Sequence, residues 1–263
     1  MKKIIEVCQL SGVSVFVEMM FDDLALACGT AFYFRKEEDN YLVTNWHNLS
    51  GRNPLNMQPL RSDGGVPNRL KIFGRNKLNF SESIDSVIEL NDSEGVPIWL
   101  EHPKFGSSVD VAALPLGDVA KSEFFDLKFA LEDIDPFQDW DVEVGEQVFI
   151  LGFPFGISSS HRLPVWKSAT LASEPNIDIE GLPQILVDTA TRQGMSGSPV
   201  VQYTRRPISI SQKGKVFSRF RASFIGVYSG RILPKDHLEA QLGRVWKREC
   251  VEEVIEGKRR AGF

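Results

Sequence analysis

Gly194-Met195-Ser196-Gly197-Ser198-Pro199-Val200 lies between two segments of strand-like composition, 184–188 and 200–203. Its glycines permit backbone angles that a side chain forbids, so the pattern predicts a tight turn between two strands. Such a turn can direct successive N–H groups at one point while it presents the Ser196 hydroxyl. Acyl transfer needs a nucleophile beside converging donors, because the developing oxyanion must be stabilised. An ordinary glycine-rich hairpin turn is the alternative interpretation.

A serine hydroxyl is a weak nucleophile at neutral pH and needs a base, which in turn needs an orienting acid. His47 ends the segment Leu42-Val43-Thr44-Asn45-Trp46-His47, directly after a predicted strand. Asp110 opens the apolar run Asp110-Val111-Ala112-Ala113-Leu114. Taken singly, the histidine is typical of a structural residue and the aspartate of a strand cap. Together with Ser196 they supply the three groups that nucleophilic hydrolysis requires.

Composition excludes several classes of function. The 263 residues carry a formal net charge of −5, so no basic surface for nucleic acid is expected. No stretch approaches the roughly 20 apolar residues of a membrane span, and Glu6 and Gln9 interrupt the only candidate signal peptide. We therefore expect no nucleic-acid partner and no membrane partner.

The cysteines and histidines form no ligand pattern. Cys8, Cys28 and Cys250 are odd in number and widely spaced, which fits neither a zinc motif nor a disulfide framework. A soluble, cytoplasmic protein of a reducing compartment is the simplest interpretation, with no metal and no cofactor. A metalloenzyme or a cysteine hydrolase has no supporting spacing.

Short strands separated by regular turns, without helical alternation, predict an all-β sandwich or barrel. Residues 121–141 contain no clear strand and are interpreted as a linker between two sets of strands. A polar hairpin is predicted over 205–221. Apolar residues then recur at helical spacing, with Asp236 as N-cap and Gly257 as the stop, so a helix packed on the second domain is predicted over 236–258.

The sequence resembles the chymotrypsin/trypsin-like serine peptidases, in particular the bacterial branch that includes the HtrA-type proteases. Four blocks carry the resemblance: Gly29-Thr30-Ala31-Phe32 with the segment leading to His47; Val109-Asp110-Val111-Ala112-Ala113-Leu114; Val144-Gly145-Glu146-Gln147-Val148 through Gly152-Phe153-Pro154-Phe155-Gly156; and Gly194-Met195-Ser196-Gly197-Ser198-Pro199. The blocks follow one another in the family's order and span most of the chain.

The resemblance implies an all-β fold of two six-stranded antiparallel β-barrels with a C-terminal α-helix. The expected domains are an N-terminal barrel (1–125), a linker (126–142), a C-terminal barrel (143–235) and the helix (236–258). His47 and Asp110 from the first barrel would form a catalytic triad with Ser196 from the second. The backbone N–H groups of Gly194 and Ser196 would form the oxyanion hole.

The resemblance also implies substrate-binding residues. The backbone of Ser229, Gly230 and Arg231 would pair with an extended substrate, and the Ser229 hydroxyl would help to orient Asp110. Ala190, with Thr191 beside it, would lie at the base of the specificity pocket. Because Ala190 is uncharged, a preference for small or medium apolar side chains is expected, which Arg192 or Arg231 at the rim would modify.

Three features depart from the family pattern. Met195 stands where secreted members carry an aspartate for the new N-terminus, and Asn48 replaces a frequent cysteine. HtrA-type proteases usually carry a PDZ domain after the catalytic unit. This sequence ends at Phe263 after the predicted helix, so no PDZ domain is expected in it.

The leading hypothesis is a serine endopeptidase with a protein or peptide substrate. Two alternatives stay open: a latent effector protease that needs a regulatory protein partner, and a catalytically silent peptide-binding module on the same fold. His161, in the loop that borders the second barrel, is a further candidate substrate contact.

Overall fold

A computed structural model describes residues 8–76, 82–120, 142–158, 161–204, 207–212, 215–218, 221–231 and 241–262. The predicted linker, 126–142, lies outside these ranges except for Val142, and so does the predicted N-cap Asp236. The strands are β1 Ser14–Phe21, β2 Leu24–Lys36, β3 Asp39–Thr44, β4 Arg69–Arg75, β5 Ser83–Glu89, β6 Leu100–Glu101, β7 Ala112–Pro115, β8 Gln147–Gly152, β9 Val165–Leu171, β10 Gln184–Asp188, β11 Pro199–Thr204, β12 Pro207–Gln212, β13 Lys215–Ser218, β14 Arg221–Arg231 and β15 Leu242–Lys247. The helices are α1 Trp46–Ser50, α2 Gly117–Ala120 and α3 Arg248–Gly257.

The first unit is an antiparallel sheet in the order β5-β4-β1-β2-β3-β7-β6. It has seven strands where six were predicted, and within the described ranges no ladder joins β5 to β6 to close it. The seventh strand, β6, has only two residues at the sheet edge. Pro97, three residues before β6, lacks the N–H that a ladder needs, which limits extension of this strand toward its N-terminus.

The second unit is a closed barrel in the order β10-β15-β14-β11-β8-β9. Its six strands are the number that the family resemblance implied. Strands β12 and β13 pair with each other as a separate two-stranded sheet, in the segment predicted as a polar hairpin. The site-bearing turn 194–197 lies between β10 and β11, as expected.

The C-terminal helix is shorter than the prediction of 236–258. Residues Leu242–Lys247 form β15, which pairs with β10 and β14 and completes the barrel, and only Arg248–Gly257 is helical. Spacing alone favoured a helix here, but the backbone pairing available between two barrel strands overrides that local preference. The helix ends at Gly257, which confirms the predicted end. Lys258, the next residue, adopts the left-handed conformation.

The two units share a hydrophobic core. Phe32 of the first unit meets Phe224 of the second edge to face, with ring centroids 5.4 Å apart. Helix α3 inserts Val251 and Val254 into the same cluster, which also contains Val111. The helix therefore packs on both units, where the sequence analysis expected only the second. This joint core fixes the two units against each other and so positions the cleft between them.

The sequence analysis expected no membrane span and no disulfide framework. In the described part of the chain, no helix is long and apolar enough to cross a membrane. The three thiols are free, and burial raises the pKa of Cys250 far above its ordinary value.

Candidate active site

The first unit holds His47 and Asp110 together. Strand β3 ends at Thr44, and α1 begins two residues later, which places His47 in its first turn. The His47 N–H donates to Asp110 Oδ1 at 2.9 Å, and His47 Nδ1 lies 2.7 Å from Asp110 Oδ2. The Asn45 amide donates to the Asp110 carbonyl at 2.6 Å. The Asp110 carboxylate accepts a hydrogen bond from His47 Nδ1. In the neutral ring the proton therefore lies on Nδ1, and Nε2 is the basic nitrogen.

The protonation of His47 reflects two opposing effects. Burial disfavours the imidazolium and lowers the pKa of His47, whereas the charge of Asp110 and its hydrogen bond raise it. The net result is a pKa raised above the ordinary value of 6.5. The Asp110 side chain is only 5% exposed, so little solvent weakens this interaction.

The turn around Ser196 depends on two glycines. Gly194 has φ +93°, and a Cβ there would lie 2.4 Å from the Phe153 carbonyl oxygen. Gly197 has φ +84°, and a Cβ there would lie 2.0 Å from the Thr30 carbonyl oxygen. Both positions combine a left-handed backbone with a close approach of another chain segment, so only glycine fits.

First-unit residues hold this second-unit turn in place. The Ser196 carbonyl accepts hydrogen bonds from Thr30 N–H at 3.0 Å and from the Asn48 amide at 3.3 Å. The Thr30 hydroxyl donates to the Gly194 carbonyl at 2.8 Å. Sequence reasoning missed these roles of Thr30 and Asn48, because their partners lie far along the chain and no local pattern marks them.

The Ser196 hydroxyl and two N–H groups of the turn belong to residues that line the cleft between the units. The Ser196 hydroxyl donates to the Ser229 carbonyl at 3.2 Å. The N–H groups of Gly194 and Ser196 have no acceptor among the residues that the structure describes. Two donors and one hydroxyl are therefore available at the same turn.

Ser229 connects the two halves of the site. Its hydroxyl donates a short hydrogen bond to Asp110 Oδ2, as the family resemblance implied. The Asp110 carboxylate thus accepts from the His47 backbone, the His47 ring and the Ser229 hydroxyl. Ser229 therefore contacts Asp110 through its hydroxyl and Ser196 through its backbone carbonyl.

Strand β14 presents an open edge next to Ser196. It pairs with β11 only as far as Val227, whereas it pairs with β15 as far as Arg231. Along 229–231, no described strand occupies the edge that β11 leaves. Gly230 lies on this edge with φ +141°, and no atom lies within 4 Å of the position that its Cβ would take.

The residues predicted at the specificity pocket are partly buried. Ala190 is half-buried, and Thr191 is buried with its hydroxyl bonded to that of Tyr228. The Tyr228 ring fills the space beside Gly243, where a Cβ would lie 2.6 Å from Cε2. Sequence reasoning did not identify this contact between Tyr228 and Thr191. Arg192 is exposed, and its guanidinium donates to the Thr191 carbonyl.

A cleft of about 310 Å³ adjoins the turn. His47, Asn48, Gly194 and Ser196 line it, together with residues of β2 and of the loop 51–67. His161 does not line it, because it lies against Arg75, which donates to its carbonyl at 3.2 Å. Among the described residues, no group of three or more His, Cys, Asp or Glu side chains could hold a metal ion.

Comparison of the sequence with known protein families identifies the family of this chain. The sequence profile described as "Trypsin-like peptidase domain" matches residues 29–210, which is more than half of the chain. The chain belongs to the trypsin-like peptidase family. As a trypsin-like peptidase it is a serine-type hydrolase, and the matched residues include His47, Asp110 and Ser196.

Comparison with solved structures finds serine proteases. A serine endoprotease from Yersinia pestis matches with a TM-score of 0.53 and 11% identity, covering 97% of this chain and 68% of that one. The Rv3671c protease from M. tuberculosis in its active form has a TM-score of 0.48 and 16% identity, covering 96% and 83%. Its inactive form has the same TM-score and identity, covering 94% and 89%. No curated protein is a significant sequence match.

Proposed function

We propose that this protein is a serine endopeptidase that hydrolyses peptide bonds through a Ser196–His47–Asp110 triad and an acyl-enzyme intermediate. The observation that carries the proposal is that His47, paired with the buried Asp110, lines the same cleft as Ser196. A glycine-flanked turn also offers two N–H groups beside that serine. These are the base, acid, nucleophile and oxyanion donors of acyl transfer.

Each group has one task in the proposed reaction. The Ser196 oxygen attacks the peptide carbonyl carbon and its proton passes to His47 Nε2. The resulting oxyanion accepts from the N–H groups of Gly194 and Ser196. His47 then protonates the leaving amine as the C–N bond breaks, and an ester to Ser196 remains. Water attacks that ester with His47 as base, which releases the acid and restores the serine.

Asp110 has a supporting role in these steps. It keeps the Nδ1 proton in place and stabilises the imidazolium that forms when His47 takes the serine proton. Before substrate arrives, the Ser196 hydroxyl donates to the Ser229 carbonyl. A rotation about its side-chain torsion turns it toward His47, and such catalytic hydrogen bonds commonly tighten only with substrate bound.

An extended polypeptide is the substrate class that the open edge of β14 favours. Residues 229–231 can pair with a substrate as an added strand, which supplies affinity without side-chain specificity. At the residue before the scissile bond, Ala190 adds no charge and the Tyr228 ring fills nearby volume. A preference for small or medium apolar side chains there is therefore proposed. The free thiols favour a reducing compartment such as the cytoplasm.

A latent protease is the second candidate, with one observation in its favour. The Ser196 hydroxyl donates to the Ser229 carbonyl and not to His47. A regulatory protein partner that shifted this hydrogen bond would activate the enzyme. In that case the purified protein alone would be inactive.

The test is digestion of a denatured protein by the purified chain, with Ser196→Ala as control. Fragments from the wild type alone would support a constitutive endopeptidase. Absence of fragments from both proteins would contradict that function and leave the latent protease or a silent peptide-binding module. Fragments from both would point to a contaminant or to another nucleophile.

A further inference from the structure

The cleft beside Ser196 lies on the leaving-group side of the scissile bond, if the proposed function holds. None of its lining residues belongs to β14, on which the acyl half of a substrate would lie. It is bounded by His47, which would protonate the leaving amine, and by Gln193 and Gly194 of the serine turn. The chain that follows the scissile bond therefore has to pass through or over this cleft.

The far wall of the cleft is apolar. Met19, Leu26, Leu60 and Pro67 contribute to it, from β1, β2 and the loop 51–67. Leu60 is 53% exposed even though it is a large aliphatic residue. An apolar surface that is open to solvent and continuous with a reactive serine is typical of a site for a substrate side chain.

Among the described residues that line the cleft, Arg61 is the one Lys or Arg side chain, and its charge is already balanced by Asp63. Its guanidinium forms two hydrogen bonds to Asp63, at 3.0 Å and 2.6 Å. The hydrogen bond from Arg61 lowers the pKa of Asp63 to about 2, so the carboxylate stays charged. The third contact of Arg61 is to the Leu26 carbonyl, at 2.7 Å. Arg61 therefore offers little attraction for an acidic substrate residue.

The same contacts make the wall a preformed surface. Arg61 ties the loop 51–67 to β2 through Leu26, and the Leu60 N–H donates to the Gly51 carbonyl at 2.8 Å. Gly51 has φ +64°, and a Cβ there would lie 2.4 Å from Pro67 Cδ. Since little ordering remains to be done on binding, contacts with this wall can contribute directly to affinity.

We propose that this cleft binds the side chain of the residue directly after the scissile bond and selects an aliphatic one such as leucine. Leu26 and Leu60 are its specificity-determining residues. The volume of about 310 Å³ lies at the lower end of the range for ligand pockets, roughly 300 to 1,000 Å³, and is enough to admit an aliphatic side chain. An aspartate at the same position would lose its hydration and would find no unpaired Lys or Arg among the described residues that line the cleft.

The experiment compares internally quenched peptides that differ only in the residue after the scissile bond, which is Leu, Ala or Asp. For the wild type, kcat/KM for Leu should exceed that for Asp at least about tenfold, the lower end of what an apolar pocket discriminates. Leu60→Lys should lower the Leu-to-Asp ratio by about tenfold, because it adds a free cation. Val87→Lys is the matched control, since Val87 is 51% exposed on β5 and outside the cleft.

A binding measurement separates this inference from the proposed function. Fluorescence anisotropy of the same three peptides, labelled, with the Ser196→Ala protein gives affinities that need no catalysis. If the wild type cleaves all three peptides at similar rates, the inference is wrong and the function stands. If nothing is cleaved but Ser196→Ala prefers the Leu peptide, the function is wrong and the cleft assignment stands. Equal affinities without cleavage would overturn both the inference and the proposed function. An equal change of the Leu-to-Asp ratio in Val87→Lys and Leu60→Lys would overturn the inference alone.

Discussion

The His47–Asp110 pair and the Ser196 turn are held in place by different parts of the molecule. The pair is bonded mainly within its own unit, between residues 63 positions apart, with Ser229 as the contribution from the second unit. The turn belongs to the second unit, yet its carbonyls are held by Thr30 of the first, across separations such as 164 residues. The pair is thus largely a local product of one sheet, whereas the turn is shaped by the interface.

This difference makes docking of the two units a condition for activity. Loss of the contacts from Thr30 would leave every reacting side chain present but would free the backbone that aims the two N–H groups. A displacement of about 1 Å can cost roughly 10²-fold in rate. We therefore expect substitutions of interface residues that carry no catalytic group to reduce catalysis strongly.

The largest effect is expected at the pair. Asp110→Asn removes the acceptor that fixes the His47 tautomer, and kcat should fall about 10⁴-fold, as in other triads. Steady-state hydrolysis of a peptide substrate measures this change. Asp85→Asn, a half-exposed carboxylate that pairs with Lys71, is the control and should retain full activity. A loss below tenfold for Asp110→Asn would show that the acid is not needed.

The next effect is expected at the interface that holds the turn. Thr30→Val keeps the side-chain shape but removes the hydrogen bond to the Gly194 carbonyl and the acceptor for the Phe153 N–H. We expect kcat to fall about 10²-fold and the free energy of unfolding to fall by about 1–3 kcal/mol.

Kinetics and urea denaturation check these two expectations for Thr30→Val. Thr170→Val, at an exposed position on β9, is the matched control. Unchanged kcat in a destabilised Thr30→Val protein would show that the turn keeps its shape without the first unit. The contrast between the two halves of the site would then be wrong.

A smaller effect is expected at the residue that connects the halves. Ser229→Ala removes one of three hydrogen bonds to the Asp110 carboxylate while the other two remain. Hydrogen bonds to charged groups contribute about 1.5–3 kcal/mol, so a loss of roughly tenfold in kcat/KM is the minimum expected. Ser168→Ala, on the outside of β9, serves as comparison. No change on Ser229→Ala would assign this serine to strand pairing alone.

The smallest effect is a pH dependence. His47 must be neutral to act as base, and Asp110 raises its pKa above 6.5. The kcat/KM of the free enzyme should therefore rise about tenfold per pH unit through acid pH and level off only above 6.5. In Asp110→Asn, burial remains without the opposing charge, so the remaining activity should level off at lower pH. A shift toward higher pH in that variant would contradict the assigned cause.

The same raised pKa has a consequence for stability, with the opposite pH direction. A pKa that is higher in the folded than in the unfolded protein stabilises the fold below the unfolded value, near 6.5. This contribution is lost as pH rises through the folded pKa. Stability from His47 protonation and activity from its neutral form thus oppose each other across this range.

The sequence predicted those features that have local or strongly patterned causes. The glycines around Ser196, the acid that opens an apolar run at Asp110 and the histidine after β3 each stand out from their neighbours. Their roles follow from the chemistry that a serine nucleophile requires. The pattern of short strands predicted an all-β fold, and the family resemblance implied its two barrels.

Features that depend on distant partners were not predictable. Residues 242–247 repeat apolar side chains at helical spacing, and only their two barrel neighbours, β10 and β14, make them a strand. Thr30 and Asn48 look ordinary until the second unit places carbonyls beside them. The apolar wall of the cleft is similar, because Leu26 and Leu60 line the same cleft only when the loop 51–67, which Arg61 ties to β2, lies beside that strand.

The most direct test of the assembled site is labelling with a fluorophosphonate probe, followed by mapping of the modified peptide. The probe phosphonylates a serine oxygen only where a base has activated it, and fluoride leaves. We expect labelling of the wild type at Ser196 alone and no labelling of Ser196→Ala. An unlabelled wild type, or a label on another residue, would contradict the claim that the two units together activate Ser196.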